Sequence, residues 1–241
     1  MKQAYENYTP EDLEVWQLLF SRQQKNLQDK ACKAYIDALN EMEWGLNMNE
    51  VPRFEKLNEL LLNKTGWSIE VVPGLIPVED FFLLLKDKKF SASTWLRPKA
   101  QLDYLEEPDM FHDIFGHIPL LMDEEYASFA QKLGEVGVKF IDNKEVVLQL
   151  QRLYWFTIEF GLIKGKSKTE IYGAGILSSF GESNGIYDTS PEIKPYNFSS
   201  IINQPFRTDI IQTLYFEIES FEQLYDSLTE FDKHLTQLKY A

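Results

Sequence analysis

Residues 112–117 read His112-Asp113-Ile114-Phe115-Gly116-His117 and hold two of the three histidines in the chain. Neutral imidazole is the commonest protein metal ligand, so two placed this closely point to a metal site. Side chains at i and i+4 of an α-helix project about 40° apart, whereas the i+5 spacing here gives about 140°. Both rings face one ion only if the helix ends or distorts between them. Gly116, with Pro119 just beyond, marks a place where that can happen. The third histidine, His234, lies in the solvated pattern of the last helix and reads as an ordinary surface residue.

The candidate for a third ligand, Glu159, lies downstream in Tyr154-Trp155-Phe156-Thr157-Ile158-Glu159-Phe160-Gly161. A carboxylate among so many aromatic side chains must be paired, protonated or bound to a metal. For Glu159 the alternatives are a partner such as Arg152, or a hydroxyl. Two His and one carboxylate on one face, with open positions opposite, form the ligand set of non-haem Fe(II) oxygenases. Zinc hydrolysis with the same ligands remains chemically possible from the spacing alone.

Around these segments the pattern is mostly helical. Thr9-Pro10-Glu11-Asp12 supplies a cap, a proline at the first helical position and two carboxylates at the positive end of the dipole. Leu13, Trp16, Leu19 and Phe20 follow at helical spacing, and the pattern runs on through Tyr35, Ala38 and Leu39. A helix is expected over 52–64, ended by Gly66. A short strand is expected over 67–72, and Pro77 opens another helix. Helices are also expected over 123–138 and 144–162, the latter apolar nearly all round and hence buried. Residues 172–187, with four glycines and three serines, read as a turn-rich functional segment. A strand over 213–220 and a helix over 221–238 close the chain. No repeat or linker divides it, so one mainly helical (α+β) domain with a few short strands is expected.

The 241 residues carry 38 acidic and 24 basic side chains, a formal charge of -14. Nucleic acid and anionic membrane surfaces are poor partners for such a chain. An aromatic content of 14% is incompatible with disorder. The single cysteine, Cys32, forms no internal disulfide, which fits a reducing compartment. The first ten residues lack the apolar core of a signal peptide, and no apolar run approaches the roughly 20 residues that span a bilayer. A cytoplasmic protein is expected.

Three long segments resemble, in order, the signatures of the pterin-dependent aromatic amino acid hydroxylases. They are Pro108-Asp109-Met110-Phe111-His112-Asp113-Ile114-Phe115-Gly116-His117-Ile118-Pro119-Leu120, Tyr154 to Leu162, and Tyr172-Gly173-Ala174-Gly175-Ile176-Leu177-Ser178-Ser179-Phe180-Gly181-Glu182. The similarity runs from about Val51 to Leu238 and is strongest to bacterial members made of the catalytic domain alone. It implies that family's catalytic-domain fold, with helices around a non-haem iron pocket.

The resemblance also implies a ligand set and a reaction. Fe(II) would be held by His112, His117 and Glu159, with O2 as co-substrate. Among the substrate residues, Arg97 would bind the amino-acid carboxylate, and Pro108 and Trp155 would pack on the ring. Gly175 and Ser179 would close on the substrate backbone, while Ser178 beside them steadies a ligating histidine. The tetrahydropterin, tetrahydrobiopterin or a relative, would meet Gly74, Ile76, Phe81, Asp113 and Tyr154. Ser91 stands where some animal members carry His. The implied reaction is hydroxylation of L-phenylalanine to L-tyrosine; tyrosine or tryptophan hydroxylation are the alternatives within the family, and Trp155 disfavours tryptophan. A monomer of one catalytic domain, residues 1–241, without regulatory or tetramerisation domains, is expected. Its partners would be the aromatic amino acid and, without physical contact, pterin-recycling enzymes.

Overall fold

The computed structural model describes residues 1–103 and 107–240. Helix α1 (Pro10–Leu27) starts where the sequence places it: the Thr9 hydroxyl accepts from Asp12 N–H, and the Asp12 carboxylate accepts from Thr9 N–H. This reciprocal cap satisfies two otherwise unpaired amide groups. The helix buries Val15, Trp16, Leu19, Phe20 and Leu27. It does not run on to Leu39 as the periodicity suggests, because α2 is a separate helix (Lys33–Glu41). The break lies where the backbone pairs elsewhere: Ile171 N–H donates to Lys30 O (2.9 Å) and Cys32 N–H to Ile171 O (2.8 Å). A tertiary strand-like contact overrides local helical periodicity there.

Helix α3 (Phe54–Lys64) ends at Gly66, whose φ of +78° is the left-handed conformation expected of a helix-terminating glycine. Strand β1 (Ser68–Val71), helix α4 (Val78–Lys86) and strand β2 (Lys89–Ala92) form a parallel βαβ unit. Helix α5 (Glu124–Lys139) lies tightly against α4. A Cβ on Gly134 would stand 2.2 Å from Lys86 N, so only glycine permits this approach.

Helix α6 (Lys144–Tyr154) is shorter and wetter than the sequence suggests. It buries Val146, Leu150 and Leu153 but leaves Leu148 43% exposed. Gly161 already begins strand β3 (Gly161–Lys164), which pairs with β4 (Thr169–Ile171). The glycine-rich segment after it is not a run of turns. It holds helices α7 (Ala174–Leu177) and α8 (Phe180–Asp188); Gly175 on α7 packs close to Phe160, whereas a Cβ on Gly181 or Gly185 of α8 would meet only Ile211, at 4.0 Å. Strand β5 (Glu192–Pro195), helix α9 (Phe198–Asn203), strand β6 (Leu214–Ile218) and helix α10 (Phe221–Tyr240) complete the chain. The second sheet has the order β4-β3-β6-β5 and is parallel except between β3 and β4.

Helix α10 is held on α5 by Asp232, which accepts from Lys132 (2.8 Å) and Lys139 (2.5 Å). Burial works against the charge, but the two ammonium groups outweigh it and hold the Asp232 carboxyl below its usual range. The native pKa is thus lower than the unfolded value of about 3.9, so the stabilisation is complete above that pH. It is lost as pH falls through the native value. Asp232→Asn is expected to cost about 1 kcal/mol at pH 7 in thermal melts. The gap to the wild type should close on acidification below pH 4.

Candidate active site

The two histidines are brought together by a π-helical turn spanning His112–His117. A π turn closes between i and i+5, so side chains five apart stack on one side. The helix is therefore widened over the whole turn rather than broken at Gly116. That glycine serves a different purpose: a Cβ there would lie 2.9 Å from Ala174 O, so its absence lets α7 approach the turn. A second π turn, Trp155–Glu159, follows α6 and is closed by Phe160 N–H donating to Trp155 O (2.9 Å). It aims Glu159 at the histidines.

The imidazole Nε2 atoms lie 3.1 Å apart. Glu159 Oε1 is 3.2 Å from His117 Nε2, and Oε2 is 3.6 Å from His112 Nε2. Ligands about 2.1 Å from one ion and at right angles to each other are about 3.0 Å apart. The three donors thus fit one face of a single ion, with the opposite face open to the cavity. They are the one such His/Cys/carboxylate group among the described residues. Arg152 is not the partner of Glu159; it donates to Ile202 O (2.9 Å). His234 is exposed.

Different forces orient the two rings. Ser178 Oγ donates its proton to Ala174 O (2.8 Å) and lies 2.9 Å from His112 Nδ1. With its one proton committed, Ser178 accepts from Nδ1–H, which leaves the Nε2 lone pair facing Glu159 and His117. His117 is instead clamped by packing. Its ring lies 4.5 Å from that of Phe90 and stacks at 6.4 Å on Tyr154. Burial pushes the His112 imidazole down to about 4, so the ring is neutral at pH 7. Burial alone would raise Glu159, but the neighbouring imidazoles and the Tyr154 hydroxyl hold it at about 2. A neutral ring and an anionic carboxylate suit a divalent cation. Ser178→Ala is expected to weaken Fe(II) or Co(II) binding by about 10–100-fold in anaerobic titrations, with little change in melting temperature of the apoprotein.

The donors form the floor of a cavity of about 290 Å³. Of the residues singled out from sequence, His112, His117, Glu159, Pro108, Trp155, Gly74, Ile76, Phe81, Asp113 and Tyr154 all line it, and so does Ser91. Phe81 meets Tyr154 edge-to-face at 5.1 Å. Burial lifts the Asp113 carboxyl to about 7, although Ser93 N–H donates to it (2.8 Å). Four residues stand behind the wall. Ser178 is behind His112. Ser179 caps α8 by accepting from Glu182 N–H (3.2 Å), and Gly175 packs on the Phe160 ring. Arg97, 8% exposed, forms a two-pronged pair with Asp109 (Nε 2.9 Å, Nη2 2.8 Å).

Sequence reasoning overlooked Asp109 and Phe206. Asp109 also accepts from Arg97 N–H (3.0 Å) and His112 N–H (3.1 Å), coupling the arginine to the first π turn. It lay inside the quoted motif, two residues from a buried-aromatic and histidine pair, and that proximity was the available signal. Phe206 lines the cavity and stacks on Trp155 at 4.7 Å. It comes from an aperiodic loop that gives no such signal.

The family profile described as biopterin-dependent aromatic amino acid hydroxylase matches residues 3–240. The chain belongs to this family. It is 43% identical over 228 residues to the phenylalanine-4-hydroxylase of Ralstonia nicotianae, covering 94% of this chain and 72% of that protein. The Chromobacterium violaceum phenylalanine-4-hydroxylase is also 43% identical, with 94% and 76% covered. A crystal structure of the latter enzyme with bound Fe(III) and 7,8-dihydrobiopterin superposes with a TM-score of 0.92 at 42% identity, covering 100% of this chain and 86% of that one. No helix among the described residues is long and apolar enough to cross a membrane.

Proposed function

We infer that this chain is an iron(II)- and tetrahydropterin-dependent monooxygenase that hydroxylates L-phenylalanine to L-tyrosine with O2. The observation that carries the reading is the His112/His117/Glu159 face at the floor of an aromatic-lined cavity. When bound, the iron and reduced pterin activate O2, and one oxygen atom passes to the aromatic ring. The protein's own part is to bind, orient and exclude water.

His112, His117 and Glu159 hold the iron, with Ser178 fixing the His112 tautomer. Trp155 and Pro108 present apolar surface to the substrate ring. Arg97 receives the substrate carboxylate. Asp109 takes Nε and Nη2, while Nη1 has only a long contact to Leu102 O (3.4 Å) and remains available to an anion. Gly175 and Ser179 support this side of the pocket from behind, through Phe160 and the α8 cap. On the opposite side Phe81 offers a ring for the pterin, Gly74 and Ile76 offer backbone, and Asp113 and Tyr154 offer polar atoms. Residues 1–241 are read as one catalytic domain, acting as a cytoplasmic monomer, with pterin-recycling enzymes serving it without being bound.

The test is an aerobic assay with Fe(II), a tetrahydropterin, and phenylalanine, tyrosine or tryptophan supplied separately. Tyrosine formed from phenylalanine with matching pterin oxidation is the expected result. Hydroxylation of tryptophan alone would overturn the substrate, and no product from iron-loaded protein would overturn the activity. Light scattering at micromolar concentration checks the monomer.

A further inference from the structure

The loop between α9 and β6 carries Phe206 onto the cavity wall, and one buried side chain at its far end ties that loop to Trp155. Gln212 Oε1 accepts from the indole N–H of Trp155 (3.3 Å). Its Nε2 donates to Arg207 O (2.9 Å) and Ile210 O (2.8 Å). Flipping this amide would set two donors against the indole N–H and an oxygen against two carbonyls, so the orientation is unique. Gln212 is 8% exposed and is anchored from behind through its own backbone. Gln212 N–H donates to Glu182 Oε1 (3.1 Å), while Glu182 Oε2 accepts from Tyr215 (2.7 Å).

Glu182 is a buried carboxylate on α8 that has no salt bridge among the described residues, and burial raises its pKa. A buried acid satisfied only by one amide and one hydroxyl is a costly way to stabilise a fold. Here both donors belong to the segment that ends the loop. The acid thus fixes where Gln212 sits, and Gln212 fixes Trp155 and the backbone that follows Phe206.

We propose that Gln212, seated by Glu182 and Tyr215, is a positioning residue that sets the Trp155–Phe206 aromatic pair against the substrate ring and so determines affinity for the aromatic amino acid. The proposal rests on the reading of Trp155 as the substrate-ring wall. It predicts loss of substrate affinity with the metal centre intact, since none of the three residues touches a donor atom of that centre. A residue serving loop stability alone would lower the melting temperature without separating KM from kcat.

The experiment measures L-phenylalanine turnover and calorimetric binding in iron-loaded wild type, Gln212→Leu, Trp155→Phe and the double variant. Gln212→Leu is expected to raise KM and Kd about tenfold, the loss of one hydrogen bond's worth of alignment, with kcat changed less than about threefold and iron content unchanged. Trp155→Phe removes the indole N–H, so adding Gln212→Leu to it should raise KM by no more than about twofold further. If Gln212→Leu melts too low to assay, Tyr215→Phe removes only the hydroxyl on Glu182 and should raise KM about threefold. Wild type that neither binds nor turns over phenylalanine sinks the functional reading itself. Active wild type with unchanged KM in the variants, or fully multiplicative effects in the double variant, overturns this proposal alone.

Discussion

Glu159→Ala is expected to abolish iron binding and hydroxylation while leaving the fold in place. Glu159 supplies the only anionic donor of the set and lies 3.2 and 3.6 Å from the two imidazole nitrogens. Without it, two imidazoles must hold a divalent cation in a buried site with no compensating charge. Removing a partner that only orients a ligand costs about 10–100-fold, so removing the ligand itself should exceed that range in metal affinity and in kcat/KM. The fold survives because the second π turn is closed by backbone and by Phe156, Thr157 and Ile158, which remain buried. Fe(II) at about 100 times its Kd stabilises the wild type by roughly 2.7 kcal/mol. In a chain of this size that is a shift of about 5–10 °C. Anaerobic calorimetry should show the shift in wild type and in His234→Ala, and none in Glu159→Ala. A Glu159→Ala protein that keeps one tightly bound iron would remove the metal assignment.

The parts legible in the sequence are those written in local chemistry. Thr9-Pro10-Glu11-Asp12 announces α1 because its cap is satisfied within four residues, and Gly66 announces the end of α3 because only a left-handed residue fits there. The ligand trio could be listed from residue type, yet its geometry could not. The i+5 spacing of His112 and His117 argues against a shared ion on an α-helix, and the π turn that resolves it depends on tertiary packing such as α7 against Gly116. The split between α1 and α2 was hidden for the same reason, since its cause is Ile171, far along the chain. The four short strands β2 to β5 carry three or four residues each, too few for a period to show. Phe206 reaches the pocket, and Gln212 the Trp155 indole, because β6 returns beside β3, a parallel pairing that no local pattern encodes.

Asp109→Ala is the second large effect, and it separates stability from substrate binding. The carboxylate is fully buried, and its two oxygens take four donors: Arg97 N, Nε and Nη2, and His112 N. Truncation strands a buried guanidinium and two backbone amides, a change that costs about 3–5 kcal/mol. A melting temperature lower by roughly 10 °C is expected. The pair Arg97→Met and Asp109→Asn removes both charges and keeps an amide oxygen for one of the two backbone donors, which bond different carboxylate oxygens, so part of that stability should return. Substrate binding should not return with it. If Arg97 holds the amino-acid carboxylate, loss of the charge-assisted hydrogen bond from Nη1 should raise KM for phenylalanine about tenfold or more in the double variant. Amines lacking the carboxylate should meanwhile bind the double variant and the wild type alike. Recovery of wild-type KM together with stability would show that Arg97 serves the fold alone, with the carboxylate held elsewhere.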